Sequence, residues 1–90
     1  MGVNVELTGA LVARTGVHRA HVPVPEDATL EDVVAGLARE YGSQVRPGLL
    51  DGDHLRTDTL PVRVLPPSGE TLSIHSPVEC GDTVRFEFHA

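Results

Sequence analysis

Few side chains in this 90-residue chain are of types that do chemistry: five histidines (His18, His21, His54, His75, His89), the single cysteine Cys80, and the carboxylates Asp51, Asp53 and Asp58. Histidines raise the question of a metal. Zinc sites that can be read from sequence use closely spaced Cys and His pairs, and only His18-Arg-Ala-His21 approaches such a spacing. Positions three apart on a strand point to opposite faces, so these two chelate together only if the segment is helical. His21 with His89 stays open, if the strands that carry them share a face. Solvated or capping histidines are the expectation, with no metal site. A reactive thiol needs a positive charge or a helix N-terminus nearby, and Glu79-Cys80-Gly81-Asp82 supplies neither, so Cys80 reads as a bystander in a turn. The three aspartates lack the spacing and the closing Glu of a calcium loop and read as a solvated loop. No glycine-rich phosphate loop and no nucleophile–base signature occurs. A chain this short also offers little room for a pocket of ~300 Å3 or more. The expectation is a protein without catalytic residues or cofactor, hence not an enzyme.

Seven basic residues, all arginine, stand against thirteen acids, for a net charge of −6 with neutral histidines. That charge repels phosphate backbones and anionic lipid, and no basic cluster overrides it, so neither nucleic acid nor membrane is an expected partner. One cysteine excludes an internal disulfide and suits a reducing compartment. Met1-Gly-Val-Asn-Val-Glu6 has neither the basic nor the apolar region of a signal peptide, and no apolar run nears the ~20 residues that span a bilayer. A cytoplasmic, soluble, acidic domain occupying residues 1–90 is expected.

The elements that must position these residues follow from hydropathy. Val3, Val5 and Leu7 alternate with polar residues as a first strand. Residues 10–14 read as a helical turn. Residues 17–24 form a second strand, confined to a sheet edge by Pro23, which cannot donate to a ladder. Thr29 to Tyr41 is the clearest helix: Thr29 caps it with Asp32 three residues on, and Leu30, Val33, Val34, Leu37, Ala38 and Tyr41 make one apolar stripe. Residues 43–60 carry turn dipeptides around Leu49-Leu50, which read as a patch onto the core. Val62 and Val64 mark a third strand, Pro66-Pro67-Ser68-Gly69 a turn, and Leu72 and Ile74 a short fourth strand. After a turn at Cys80-Gly81-Asp82 the last strand faces Val84, Phe86 and Phe88 inward and Arg85, Glu87 and His89 outward.

One helix covers one face of a sheet. The expected architecture is α+β, a mixed sheet of roughly four to five strands with the first and last strands parallel at its centre, the β-grasp arrangement. Its uncovered face would carry Glu6, Arg19, His21, Arg63, Arg85, Glu87 and His89, a mixed-charge surface suited to a protein partner.

The opening strand followed by Ala10-Leu-Val-Ala-Arg-Thr-Gly16, the helix entry Pro25-Glu-Asp-Ala-Thr-Leu-Glu-Asp-Val-Val34, and Gly81-Asp-Thr-Val84 before the last strand together resemble the MoaD/ThiS family of small sulfur carriers of molybdopterin and thiamine synthesis. The resemblance spans nearly the whole chain and implies a ubiquitin-like β-grasp domain. The family's chemistry resides in a C-terminal Gly-Gly, adenylated by an activating enzyme and converted to a thiocarboxylate. Here the residues are Phe86-Glu-Phe-His-Ala90, without Gly-Gly and about three residues, or roughly 10 Å, short of the family pattern. The carrier's reactive residues therefore map to no position. The expected function is a non-catalytic accessory or regulatory subunit that binds a larger enzyme or biosynthetic complex through Arg63, Arg85, Glu87, His89 and Ala90. The alternative is a sulfur carrier with an atypical or truncated C-terminus, whose partner is an activating enzyme.

Overall fold

Strands β1 (Gly2–Leu7) and β7 (Thr83–Phe88) lie side by side and parallel, Val5 level with Val84 and Leu7 with Phe86. The computed structural model describes residues 2–65 and 68–88, with the backbone alone at Leu65 and Ser68. β2 (Arg19–Pro23) runs antiparallel along the far side of β1. β5 (Thr59–Leu65) runs antiparallel to β7, and β6 (Ser68–Thr71) lies beyond it. The order is β2-β1-β7-β5-β6, a mixed five-stranded sheet with the first and last strands at its centre, as the alternation of apolar residues predicts. Val3, Val5, Leu7, Val84 and Phe86 are all 1% exposed or less, which fixes one face of the sheet as the inner one.

Helix α2 (Leu30–Tyr41) crosses that face. Leu30, Val33, Val34 and Leu37 are completely buried, each contributing roughly 1.5–3 kcal/mol by leaving water. The Thr29 N–H donates to Asp32 Oδ2 at 2.9 Å, satisfying a donor that the helix start leaves free. At Gly36 the helix lies close against the sheet: a Cβ there would collide with Cγ1 of Val22. Tyr41, expected on the apolar stripe, is 38% exposed at the helix end, and Phe88 is 36% exposed at the end of β7. Both lie at the rim because their elements outrun the sheet–helix contact.

Residues 43–60 are more ordered than their turn-rich sequence suggests. After α1 (Ala10–Thr15), which links β1 to β2, a second short helix, α3 (Val45–Leu49), buries Val45 and Leu49. A two-residue hairpin follows, β3 (Leu50–Asp51) with β4 (His54–Leu55). Asp58 is no solvated loop residue: it accepts from Arg14 Nη1 at 3.1 Å and Nη2 at 2.7 Å. Asp51 and Asp53 are exposed, as expected.

The fourth strand of the sheet lies earlier than the alternation of Leu72 and Ile74 indicates. Ser68 and Gly69 belong to β6 and not to a turn, while Pro66 and Pro67 fall outside the described residues. The Leu72 N–H still donates to the Pro61 carbonyl at 2.9 Å, and then the chain leaves the sheet. It crosses to the start of α2, where the Leu30 and Glu31 N–H groups donate to the Ser76 and Ile74 carbonyls at 2.9 and 3.0 Å. A helix start needs acceptors for its unpaired N–H groups, and this irregular segment supplies them. Leu72 and Ile74 are buried at 6% and 7% exposure, so beyond that one bond to Pro61 their alternation reports burial without a ladder.

Candidate functional site

The face of the sheet away from α2 is the candidate site. Register decides which side chains reach it, because directly opposed residues share a face. Asn4 and Glu6 on β1 oppose His21 and Arg19 on β2, and they lie level with Thr83 and Arg85 on β7. Arg85 and Glu87 in turn oppose Val62 and Leu60 on β5. Val62 and Val64 oppose Thr71 and Gly69 on β6. The face therefore has two halves. On β2, β1 and β7 it is polar: His21 Nδ1 is 3.0 Å from Asn4 Oδ1, and Arg85 lies between Glu6 at 3.3 Å and Glu87 at 3.9 Å. On β5 it is apolar, a partly exposed stripe of Leu60, Val62 and Val64 that belongs to no part of the buried core.

Of the residues singled out from sequence, Glu6, Arg19, His21, Arg85 and Glu87 are on this face. His89 and Ala90 lie outside the described residues. Arg63 is on the other side. It opposes Val84 and Glu70, donates from Nη1 to Glu70 Oε1 at 2.9 Å, approaches Asp82 Oδ2 at 3.3 Å with Nε, and donates from Nη2 to the Pro77 carbonyl. Its side chain is only 19% exposed. Arg63 is thus a clasp beneath the sheet, joining β6, the irregular 72–82 segment and the turn before β7. The residues that sequence reasoning missed are Leu60, Val62 and Val64. Thr59 to Leu65 carries apolar residues on both phases, and only the pairing with β7 fixes which phase faces out.

The remaining chemistry-bearing groups stay apart. Among the described residues no three His, Cys, Asp or Glu side chains converge on a point that would hold a metal. Cys80 is exposed in its turn. The Arg14 guanidinium holds the Asp58 carboxyl at a pKa of about 2, mainly through their hydrogen bonds, and Asp58 raises the pKa of Arg14 in return. Among the described residues, two open depressions are larger than the length of the chain suggests. One of about 530 Å3 is lined by Asn4, Glu6, Arg19, His21 and Thr83 and reaches Tyr41 at the end of α2. The other, about 370 Å3, lies between α3 and the β3–β4 hairpin and is lined by Arg46, Asp51 and Arg56. Among the described residues no helix is long and apolar enough to cross a membrane.

No protein-family model matches the chain, and no curated protein matches its sequence. Solved structures do match. SAMP1 from Haloferax volcanii superposes with a TM-score of 0.82 at 19% identity, over 100% of this chain and 97% of that one. A chain of the Amycolatopsis orientalis BexX/CysO complex gives 0.79 at 15% identity, over 98% and 96%. A putative molybdopterin converting factor subunit 1 from Pyrococcus furiosus gives 0.72 at 16% identity, over 100% and 99%. Identities this low speak to backbone architecture alone, and the architecture they share with this chain from end to end is the ubiquitin-like β-grasp fold.

Proposed function

We propose that this chain is a non-catalytic, protein-binding β-grasp module, an accessory or regulatory subunit that docks on a larger enzyme or biosynthetic complex through the outer face of its sheet. The observation that carries this reading is the stripe of Leu60, Val62 and Val64, turned out of the core beside the charged row of Glu6, Arg85 and Glu87. An apolar strip bordered by charges is the usual composition of a protein-binding patch. Two acids share the one arginine of that row, and the chain carries a net charge of −6. The partner surface is therefore apolar at its centre and basic at its rim.

The test is size exclusion with mass spectrometry on protein purified from its native host, alongside a Leu60→Glu, Val62→Glu variant. Co-elution with a larger protein that the variant loses is the expected result. A wild-type chain that always elutes alone overturns the reading.

A second reading is favoured by the likeness to a chain of the BexX/CysO complex and to a molybdopterin converting factor subunit: a carrier whose C-terminus is itself the substrate of the partner. Incubation with ATP and an activating enzyme separates the two. A carrier forms an acyl-adenylate, or gains the mass of an oxygen-to-sulfur exchange when a sulfur donor is present. An accessory subunit does neither.

A further inference from the structure

The two edges of the sheet are not alike, and the difference goes beyond the docking face. In an antiparallel ladder, pairs that exchange hydrogen bonds alternate with pairs that do not. The Leu72 N–H donates to the Pro61 carbonyl at 2.9 Å, so one step on it is Arg63 and Glu70 that exchange bonds. Val62 with Thr71 and Val64 with Gly69 are then the non-bonded pairs. The N–H and C=O groups of Gly69 and Thr71 therefore point away from β5, off the edge of the sheet. Among the described residues none of these four groups has a hydrogen-bond partner, and both residues are exposed.

The side chains beside this edge are unusually permissive. Gly69 carries no Cβ, and a Cβ there would collide with Cγ1 of Val62. Val62 thus leans toward the edge, and no intervening side chain separates it from a strand laid alongside β6. On the opposite face Glu70 lies between Gly69 and Thr71, its side chain 53% exposed although it is paired with Arg63 at 2.9 Å. The β2 edge offers no counterpart. Pro23 has no N–H to donate there, and the outer-face residues next to that edge are Arg19, His21, Asn4 and Glu6.

We infer that the free edge of β6 accepts an extended segment of the partner protein as an added strand, with apolar residues at alternate positions beside Gly69 and Thr71 and a basic residue between them beside Glu70. The unpaired backbone groups select an extended backbone. The bare step at Gly69 lets the segment's apolar side chains extend the Leu60, Val62, Val64 stripe across the edge, and the Glu70 carboxylate selects the basic residue. This inference rests on the protein-binding reading and gives it a strand-shaped partner.

The probe is an acetylated, amidated peptide with valine and lysine in strict alternation, titrated into the 15N-labelled chain. A peptide of the same composition with its valines grouped together is the control. The alternating peptide is expected to shift the Gly69 and Thr71 amides and slow their exchange with solvent, leaving Arg19 and His21 unchanged. Replacing its lysines with glutamate, or N-methylating every second residue, is expected to weaken binding about tenfold or more, as loss of one or two hydrogen bonds does. Thr71→Pro removes one outward donor and no bond to β5, so its melting curve should hold while affinity falls about tenfold.

Equal binding of the N-methylated peptide, shifts confined to Arg19 and His21, pairing of β6 with a second copy in preference to the peptide, or no shift at Gly69 and Thr71 at the peptide's solubility limit would each overturn the inference. If the native partner is lost in the Val62→Glu variant but kept in Thr71→Pro, the docking face stands and the edge does not.

Discussion

The Asp58 carboxylate spans both terminal nitrogens of Arg14, at 2.7 and 3.1 Å, across 44 residues of chain. This bidentate pair fastens the entry of β5 to α1, and the Arg14 guanidinium carbon lies 5.4 Å from the centre of the Phe88 ring. Because Arg14 holds the folded-state pKa of Asp58 at about 2, against an ordinary 3.8, the unfolded chain binds this proton more readily than the folded one. The pair's contribution is complete above pH about 4 and is lost as pH falls through about 2. Asp58→Asn should therefore lower the melting temperature at pH 7 by a few degrees, and the difference from wild type should shrink steadily as melting curves are taken at lower pH between 4 and 2.

Gly36→Ala tests the approach of α2 to β2. In an open helix this change stabilises by ~1 kcal/mol. Here the new methyl meets Cγ1 of the fully buried Val22, and overpacking costs about 1–3 kcal/mol. The expected net result is a loss of about 1 kcal/mol. Adding Val22→Ala should leave the double variant more stable than the sum of the two single changes, which a denaturant double-mutant cycle reads directly.

Arg63 and Val62 are neighbours in sequence with opposite duties. Arg63→Ala breaks the clasp under β6 and β7 and should cost about 1–2 kcal/mol of stability. Val62→Glu should change stability by about 0.5 kcal/mol or less while reducing co-elution with the partner at least about tenfold. Urea melts and size exclusion on the same two samples check both halves.

The two phenylalanines should separate in the same way. Phe86 is completely buried beside β1, and Phe86→Ala should cost about 3–5 kcal/mol. Phe88, 36% exposed under Arg14, should cost about 1 kcal/mol on truncation, part of it the lost cation–ring contact.

The period of a segment was easier to read from sequence than its phase. α2 was legible because one stripe of apolar residues recurs over three turns, and β1 and β7 because only one phase of each is apolar. Thr59-Leu-Pro-Val-Arg-Val-Leu65 offers apolar residues on both phases, and ordinary alternation turns Val62 and Val64 inward and Arg63 outward. Pairing reverses this. β5 must place Pro61 opposite Phe86, which brings Arg63 beneath the sheet to Asp82 and Glu70. No local pattern announces an ion clasp whose partners lie 7 and 19 residues away. The same holds for Arg14 and Asp58. Their join depends on α1 and the entry of β5 meeting in space, which a reading of neighbours along the chain does not supply.

The placement of β7 has a consequence for how the protein is made. It follows every other strand of the sheet in sequence, yet it lies between β1 and β5, and its pairing of Leu7 with Phe86 joins residues nearly eighty positions apart. A nascent chain that has reached Cys80 has made β1, β2, β5 and β6 but lacks the strand that joins them. Until Thr83–Phe88 emerges, Val3, Val5 and Leu7 have β2 and α2 beside them but not β7. Such long-range closure folds slowly and leaves apolar strands open to wrong partners in the meantime. Closure of the sheet on the ribosome is therefore expected to be all-or-none, completed only once Thr83–Phe88 has emerged.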